Sequence, residues 1–477
     1  MITSEEMAVV DANAAALGVP HKQLMESSGS AVARAVREAA DPDDSVALVC
    51  GRGNNGGDAF VAARFLSEYD VTVHLLGREA TISTTIAREN WDALGAAEID
   101  AREVRDSASL SLEEPDVVVD AMLGTGVTGA LREPEATAAR RINDSEATVV
   151  AVDVPSGVNA DTGEAAGVSV EADHVVTFHD TKPGLEAVDA TVTVADIGIP
   201  EAAERFVEQG DLLRLSRDPS AHKGEFGEVL VVGGGPYTGA PALAARSALR
   251  AGADLASVAC PEAVAREVQG YSETLIVEPL SGDRLAPEIV ADLTERAADA
   301  DCVVLGPGLG AHERTLAAVK GFLEGFGGTA VVDADALRVV PDVETDATLL
   351  CTPHQGELRR MGGETADDPA ERADLVQSFA ADLGATLLVK GAQDVISDGE
   401  RTRRNRTGNP GMTVGGTGDV LAGVCGAMAC ALDPPEAAAV AAYANGRAGD
   451  IAAEERGYGL TATDLLEAVP RVLWPDE

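Results

Sequence analysis

Basic charge is what this chain has least of. It carries 80 acidic residues against 36 basic ones, a formal net charge of −44. Five of the basic residues are lysines: Lys22, Lys182, Lys223, Lys320 and Lys390. A surface this acidic repels nucleic acid and anionic membranes, so neither is expected as a partner. Aromatics make up 3% of the chain, yet hydrophobic residues reach 45%, enough to exclude a disordered polyanion. The composition points instead to a folded protein suited to a very salty cytoplasm, where repulsion is screened within about 3 Å at 1 M salt. The six cysteines (Cys50, Cys260, Cys302, Cys351, Cys425 and Cys430) include no Cys-x-x-Cys pair and sit in apolar stretches. They read as small buried hydrophobes in a reduced compartment, not as disulfides or a zinc site. No signal peptide opens the chain and no charge-free apolar run reaches membrane-spanning length, so a cytoplasmic location is expected.

At 477 residues there is room for two or three domains. In the first half, Ser45–Cys50 reads as a buried strand, followed by Gly51-Arg-Gly-Asn-Asn-Gly-Gly-Asp58, a helix, and a strand over 71–76. Strand, glycine loop, helix and strand make a βαβ unit, and hence a parallel sheet covered on both faces. Gly51, Gly53 and Gly56 match G-x-G-x-x-G, but Leu76, Gly77 and Arg78 stand where a dinucleotide site has its acidic residue. Asn54 and Asn55 are the unusual pair: their amides can donate to phosphate or sugar, and their carbonyl oxygens can ligate a hard cation. Asp120-Ala-Met-Leu-Gly-Thr-Gly126, Asp153-Val-Pro-Ser-Gly157 and His179-Asp-Thr-Lys182-Pro-Gly184 follow later strands. Ligands of open α/β sheets bind outside the carboxyl ends of strands, so these segments define one site together.

As a set, these motifs resemble the N-terminal epimerase domain of the NAD(P)H-hydrate repair enzymes over about residues 1–205. The resemblance implies that Asn54, Asn55, Gly56, Gly57 and Asp58, with Gly124, Thr125, Gly126, Val127, Thr128, Gly129 and Ala130, hold the hydrated nicotinamide nucleotide. It also implies K+ at Asn55, Asp120 and Ser156, with Asp153 at the reacting ring. Asp153 with Lys182 is expected to handle protons. Ala59 stands where the family usually has glycine.

The segment from Glu201 to Ser220 is charged and lacks a strand pattern, which places a boundary near 205–218 and two domains at 1–210 and 218–477. A second series of strands and helices follows, with glycine-rich loops at Gly233–Gly239 and Gly306–Gly310. Residues 408–423 carry five glycines among the first eleven and then Asp419 ahead of an apolar run. Glycines let several N–H groups face an anion, and a helix start beside them favours phosphate. A carboxylate there suits taking a proton from a hydroxyl that attacks a phosphoryl group. With Glu357 placed to orient hydrated Mg2+, these features resemble a ribokinase-like fold. The expected fold class is therefore α/β, with an N-terminal Rossmann-like three-layer sandwich in tandem with a C-terminal ribokinase-like domain.

The set Gly-Pro-Gly-Leu-Gly, Thr-Pro-His-x-Gly-Glu, Lys-Gly-Ala and Asn-Pro-Gly-Met-x-x-Gly-Gly-Thr-Gly-Asp is similar to the NAD(P)H-hydrate dehydratases from about residue 220 onward. That similarity implies that Ala240, Gly308, His354 and Asp419 contact the hydrate. It implies that Lys390, Gly391, Ala392, Gln393, Asp394 and Gly418 hold the adenine nucleotide. Gln355 replaces a usual proline, and Gln393-Asp394 a usual Gly-Thr. Together the two halves imply a bifunctional repair enzyme acting on NAD(P)HX. One domain would interconvert the R and S epimers, and the other would phosphorylate and eliminate the S hydroxyl with ADP, as similar archaeal and bacterial enzymes do. A homo-oligomer and a haloarchaeal source are expected. An ATP-dependent kinase for a vitamin precursor, with a nucleotide-binding scaffold domain in front, is the alternative.

Overall fold

The computed structural model describes residues 1–126, 129–217 and 220–474. Two compact units divide the chain, Met1–Ala203 and Glu204–Glu477.

Among its described residues the first unit has seven strands: β1 (Ser45–Cys50), β2 (Asp70–Leu76), β3 (Asp100–Val104), β4 (Val117–Ala121), β5 (Thr148–Val152), β6 (His174–Phe178) and β7 (Thr191–Ala195). They form one sheet in the order β3-β2-β1-β4-β5-β6-β7, and every neighbouring pair is parallel. Side chains of a strand alternate between faces. Val46, Leu48 and Cys50 accordingly enter one apolar cluster, and Ala47 and Val49 the other. Both faces are covered, which is the three-layer sandwich. The strand order reverses between β1 and β4, so the crevice at their carboxyl ends is where such a sheet binds ligands.

Among its described residues the second unit has ten strands: β8 (Phe206–Val207), β9 (Glu228–Val232), β10 (Leu255–Pro261), β11 (Ile276–Leu280), β12 (Cys302–Leu305), β13 (Thr329–Val332), β14 (Thr348–Cys351), β15 (Thr386–Val389), β16 (Asp394–Ser397) and β17 (Thr402–Asn405). Their order is β11-β10-β9-β12-β13-β14-β15-β16-β17-β8, with the reversal between β9 and β12. The strands from β11 to β15 are parallel. An antiparallel β16–β17 pair extends that edge, and β8 runs parallel to β17.

The segment after residue 203 is not a bare linker: β8 joins the second sheet, so the unit boundary lies a few residues ahead of the expected one. What holds it is polar. Arg403 donates to the Glu204 and Phe206 carbonyls and pairs with buried Asp211, while Arg205, Arg404 and Arg406 stack on the Phe206 ring. A strand secured this way has no apolar alternation to announce it.

Candidate active sites

In the first unit, β1 leads through Gly51–Gly53 straight into the helix Asn54–Phe65. The turn is tight because Gly56 has no side chain: a Cβ there would stand 2.2 Å from the Gly51 carbonyl oxygen. That close approach holds Asn54 and Asn55 at the strand end. A cavity of about 710 Å³ opens at the β1/β4 crevice. Asn54, Asn55, Asp58, Gly124, Thr125, Gly126, Asp153 and Lys182 all line it, so four segments well separated in the chain converge.

Asp153 follows β5 with φ +66°, an uncommon conformation for a residue with a side chain. Its Oδ1 is 3.0 Å from Lys182 Nζ and accepts from Thr177 Oγ1 at 3.1 Å. Lys182 is fully buried, and its ammonium also donates to the Phe178 carbonyl at 2.8 Å and the Asp180 carbonyl at 3.2 Å. A buried ammonium needs such partners. Asp11, from the helix Ser4–Ala16, lines the same cavity. Burial is the main cause that raises its carboxyl to about pH 6, and Asp153 adds to the effect. Burial, with Asp153 and Asp11 nearby, likewise pushes Asp58 well above the usual carboxylate range.

Asp120 is fully buried and faces Ser156. It accepts from the Ser156 N–H and Oγ, both at 2.7 Å, and from the Met122 N–H at 3.2 Å. Burial lifts it to about 6 despite those bonds. Among the described residues no basic side chain pairs with it, and the buried Asn55 Nδ2 has no partner.

The other expected residues of this site fall elsewhere. Gly56 and Gly57 are buried against Gly51 and Met25 and shape the helix start without lining the cavity. Gly129 lines a separate recess with Gly157 and Asn159, and Ala130 lines neither. Val127 and Thr128 lie outside the described residues.

In the second unit, the helix Thr417–Met428 starts at Gly416, whose φ of +97° is left-handed. Asp419 stands in its first turn. The first N–H groups of a helix have no partner within it, and Thr417 Oγ1 ties the loop back to the Met412 carbonyl at 2.9 Å. A cleft of about 550 Å³ lies here, lined by Tyr237, Ala240, Gly308, Asp335, Gly416 and Asp419 among others. Gly308 (φ +75°) lets two loops meet, since a Cβ there would be 2.1 Å from the Tyr237 carbonyl oxygen. Burial raises Asp419 to about 7; the negative charge of Asp333 adds to this and Lys390 opposes it.

Lys390 donates to Asp333 Oδ1 at 2.9 Å, the same oxygen that accepts from Thr352 Oγ1 at 2.8 Å. Burial works against the ammonium, but Asp333, Glu357 and Asp419 outweigh it and raise its pKa. Its Nζ lies 3.3 Å from where a Cβ on Gly418 would stand, so the cation sits at the helix start.

Three of the four residues expected at the hydrate, Ala240, Gly308 and Asp419, therefore share one cleft. His354 does not line it. Its Nδ1 accepts from the Gly356 and Glu357 N–H groups, capping the short helix Gln355–Arg360. Glu357 returns the bond by accepting from the His354 N–H at 2.9 Å. Asp394 also turns inward: it accepts from the Gly391 N–H at 2.9 Å and from Asn405 Nδ2 at 3.0 Å, closing its own loop.

Two family models match the chain. One, described as NAD(P)H-hydrate dehydratase, covers residues 229–471, and the other, YjeF-related protein N-terminus, covers residues 21–184. A protein of Methanothermobacter thermautotrophicus named bifunctional NAD(P)H-hydrate repair enzyme is 44% identical over 98% of this chain and 95% of its own. One of the same name from Pyrobaculum aerophilum is 44% identical over 99% of this chain and 98% of its own. The chain belongs to the bifunctional NAD(P)H-hydrate repair enzyme family. A solved ribokinase-like superfamily protein from Enterococcus faecalis V583 is 25% identical, with a TM-score of 0.50, over 56% of this chain and 95% of that one. This agrees with the ribokinase-like architecture of the second unit.

Three residues of this family member escaped the sequence reading. Asp11 is one acid among 80 and sits on a helix far ahead of any motif. Asp333 directly follows β13, and nothing in the sequence marks it as the partner of Lys390. Arg372 is only 5% exposed, its Nε lacks a partner, and its guanidinium lies against Gly391. Only the fold brings these groups beside their sites.

Proposed function

We propose that the first unit interconverts the R and S epimers of NAD(P)HX, and that the second dehydrates the S epimer while converting ADP to AMP and phosphate. The observation that carries this reading is the pairing of two different crevice sites on one chain. One holds an aspartate locked to a buried lysine, and the other an aspartate at a glycine-rich helix start.

In the second unit, Asp419 takes the proton of the 6-hydroxyl as that oxygen attacks the terminal phosphoryl group of the nucleotide. A pKa near 7 suits a base working at neutral pH. The free N–H groups at Gly415–Gly418 and the Lys390 ammonium face the charge that develops on the transferring group. Phosphate then departs from carbon 6 with its electron pair, a far better leaving group than hydroxide, and loss of a proton restores the ring double bond. Ala240 and Gly308 shape the floor for the hydrate, and His354 fixes the start of the helix that carries Glu357. Lys390, Gly391, Ala392, Gln393 and Gly418 hold the adenine nucleotide, with Asp394 setting the shape of that loop. The single carboxylate of Glu357, with no group of three or more His, Cys, Asp or Glu placed to cage a metal among the described residues, fits hydrated Mg2+ better than a directly ligated ion. Magnesium bound with the phosphates would neutralise charge on the phosphoryl group.

In the first unit, Asn54, Asn55, Asp58 and Gly124–Gly126 hold the hydrated nucleotide, and Asp153 with Lys182 manages protons at carbon 6. Asp120, Ser156 and the amide of Asn55 are a hard oxygen set around a buried carboxylate that lacks a cation partner. They fit K+, which would offset that charge beside an anionic ligand. A half-turn of the Asn55 amide brings its oxygen to the position of the unpartnered nitrogen.

Two variants test the division of labour on a mixture of epimers with ADP. Asp153→Ala should leave the R epimer behind while the S epimer is consumed. Asp419→Ala should stop NADH recovery while the epimers still interconvert. Unchanged R consumption in Asp153→Ala, or a stable phosphorylated product from the wild type, would overturn the assignment.

A further inference from the structure

The epimerisation cavity holds more acid than the proposed chemistry has used. Asp11, Asp58 and Asp153 all line it. Asp153 is held by Lys182 and Thr177. The carboxylates of half-buried Asp11 and buried Asp58 make no hydrogen bond or ion pair with any described residue. Uncompensated carboxylates are costly to bury, so a group kept this way without a structural bond is a candidate for function. Asp58 sits in the first turns of the helix that carries Asn54 and Asn55, and so belongs with the nucleotide-holding segment. Asp11 comes from a separate element, the helix Ser4–Ala16, where Met7 one turn earlier also lines the cavity. The cavity is thus served by one carboxyl group from the strand ends and another from this helix.

Inversion at carbon 6 by loss of water from one face and its return to the other can use two such groups. The hydroxyl can leave only as water, and the new oxygen must arrive on the other face of the ring. Resting on the epimerase reading above, we propose that Asp11 is a second acid–base residue of the first unit, acting on the oxygen at one face of carbon 6 while Asp153 acts at the other.

For the R-to-S direction, the Asp11 carboxylic acid gives its proton to the 6-hydroxyl. The C6–O bond breaks and its electron pair leaves with water, while the N1 lone pair forms an N1=C6 double bond. A water molecule adds to C6 from the opposite face, the π pair returns to N1, and the surplus proton passes to the Asp153 carboxylate. Nothing is oxidised or reduced, and the reverse direction exchanges the two roles. A carboxyl raised to about 6 by burial keeps enough of its proton near neutrality to serve as the acid. Besides Asp153 and Asp58, the charged and titratable groups acting on Asp11 are His21 from the next helix, Lys182 and His179, all three of which lower its pKa.

The test uses the full chain, both epimers and ADP, with S consumption as an internal reference. Asp11→Asn should leave the S phase at wild-type rate and slow the R phase by about 100-fold or more, the usual weight of general acid–base catalysis. In the wild type the R phase should slow as pH rises through about 6. Asp11→Asn should lose that limb, and Asp11→Glu should restore much of the rate with the limb displaced. Solvent oxygen-18 should enter the hydroxyl during turnover. An R phase of wild-type rate in Asp11→Asn would overturn the proposal. So would a loss equal at every pH that appears only in KM. If Asp11→Asn fails to fold, the position of the limb in Asp11→Glu decides, and an unmoved limb overturns it. If the wild type consumes the S epimer and leaves the R epimer untouched, the epimerase reading fails instead, and that result is distinct.

Discussion

Replacing Asp419 by asparagine should abolish dehydration and, at alkaline pH, make the second unit more stable. The folded state raises this carboxyl from 3.8 to about 7, with burial the first cause. A group whose pKa rises on folding binds its proton more tightly in the native state, so its contribution falls as pH climbs from the unfolded value through the folded one. Three units correspond to on the order of 4 kcal/mol at about 1.36 kcal/mol per unit. Asparagine mimics the protonated carboxyl in shape and carries no charge. Asp419→Asn should therefore gain on the order of 1–4 kcal/mol over wild type near pH 8, and close to nothing near pH 4. Urea unfolding at the two pH values, at constant KCl, measures the difference. A gain equal at both pH values, or a loss at pH 8, would refute the claim that the site holds its base at a cost in stability.

Lys390→Met should cost about 3–5 kcal/mol in urea unfolding, since it strands buried Asp333; adding Asp333→Asn should recover most of it. A single-variant cost below about 1 kcal/mol would show the pair to be idle. The same Lys390→Met change removes the group that lowers the Asp419 pKa, so the dehydration rate should reach its alkaline plateau at higher pH. Exchange of K+ for a bulky organic cation should slow the R phase alone, and Asp120→Asn should abolish that cation dependence; equal R-phase rates in both salts would contradict the cation site. With a formal charge of −44, the thermal midpoint should climb between about 0.1 and 1 M KCl, as the screening length shrinks from about 10 to 3 Å. A flat midpoint would refute adaptation to high salt.

Much of the architecture was legible because parallel strands buried on both faces are written as apolar runs, as in Val46–Cys50 and Val229–Val232. The glycine loops after them mark strand ends, and strand ends are where such sheets bind. The stretches that escaped are held differently. β17 reads Thr-Arg-Arg-Asn, and its place rests on pairing with β16 and on Arg403 meeting Asp211. The candidate sites divide in the same way. Asp153, Lys182 and Asp419 stand in local patterns, whereas Asp11 and Arg372 lie on helices with no motif and matter only for what the fold sets beside them. His354 and Asp394 were found as residues, but their side chains cap and close loops, because an N-terminal helix turn and a three-residue reversal each offer bare N–H groups nearby.

The central claim is that one chain rescues both epimers. Incubation of the full protein with mixed R- and S-NADHX and ADP, followed by the near-ultraviolet absorbance of NADH and by chromatography of the nucleotides, tests it most directly. The account predicts recovery of the whole hydrate pool, with one AMP and one phosphate for each NADH. No recovery with either ADP or ATP, or recovery that halts once the S epimer is spent, would contradict it.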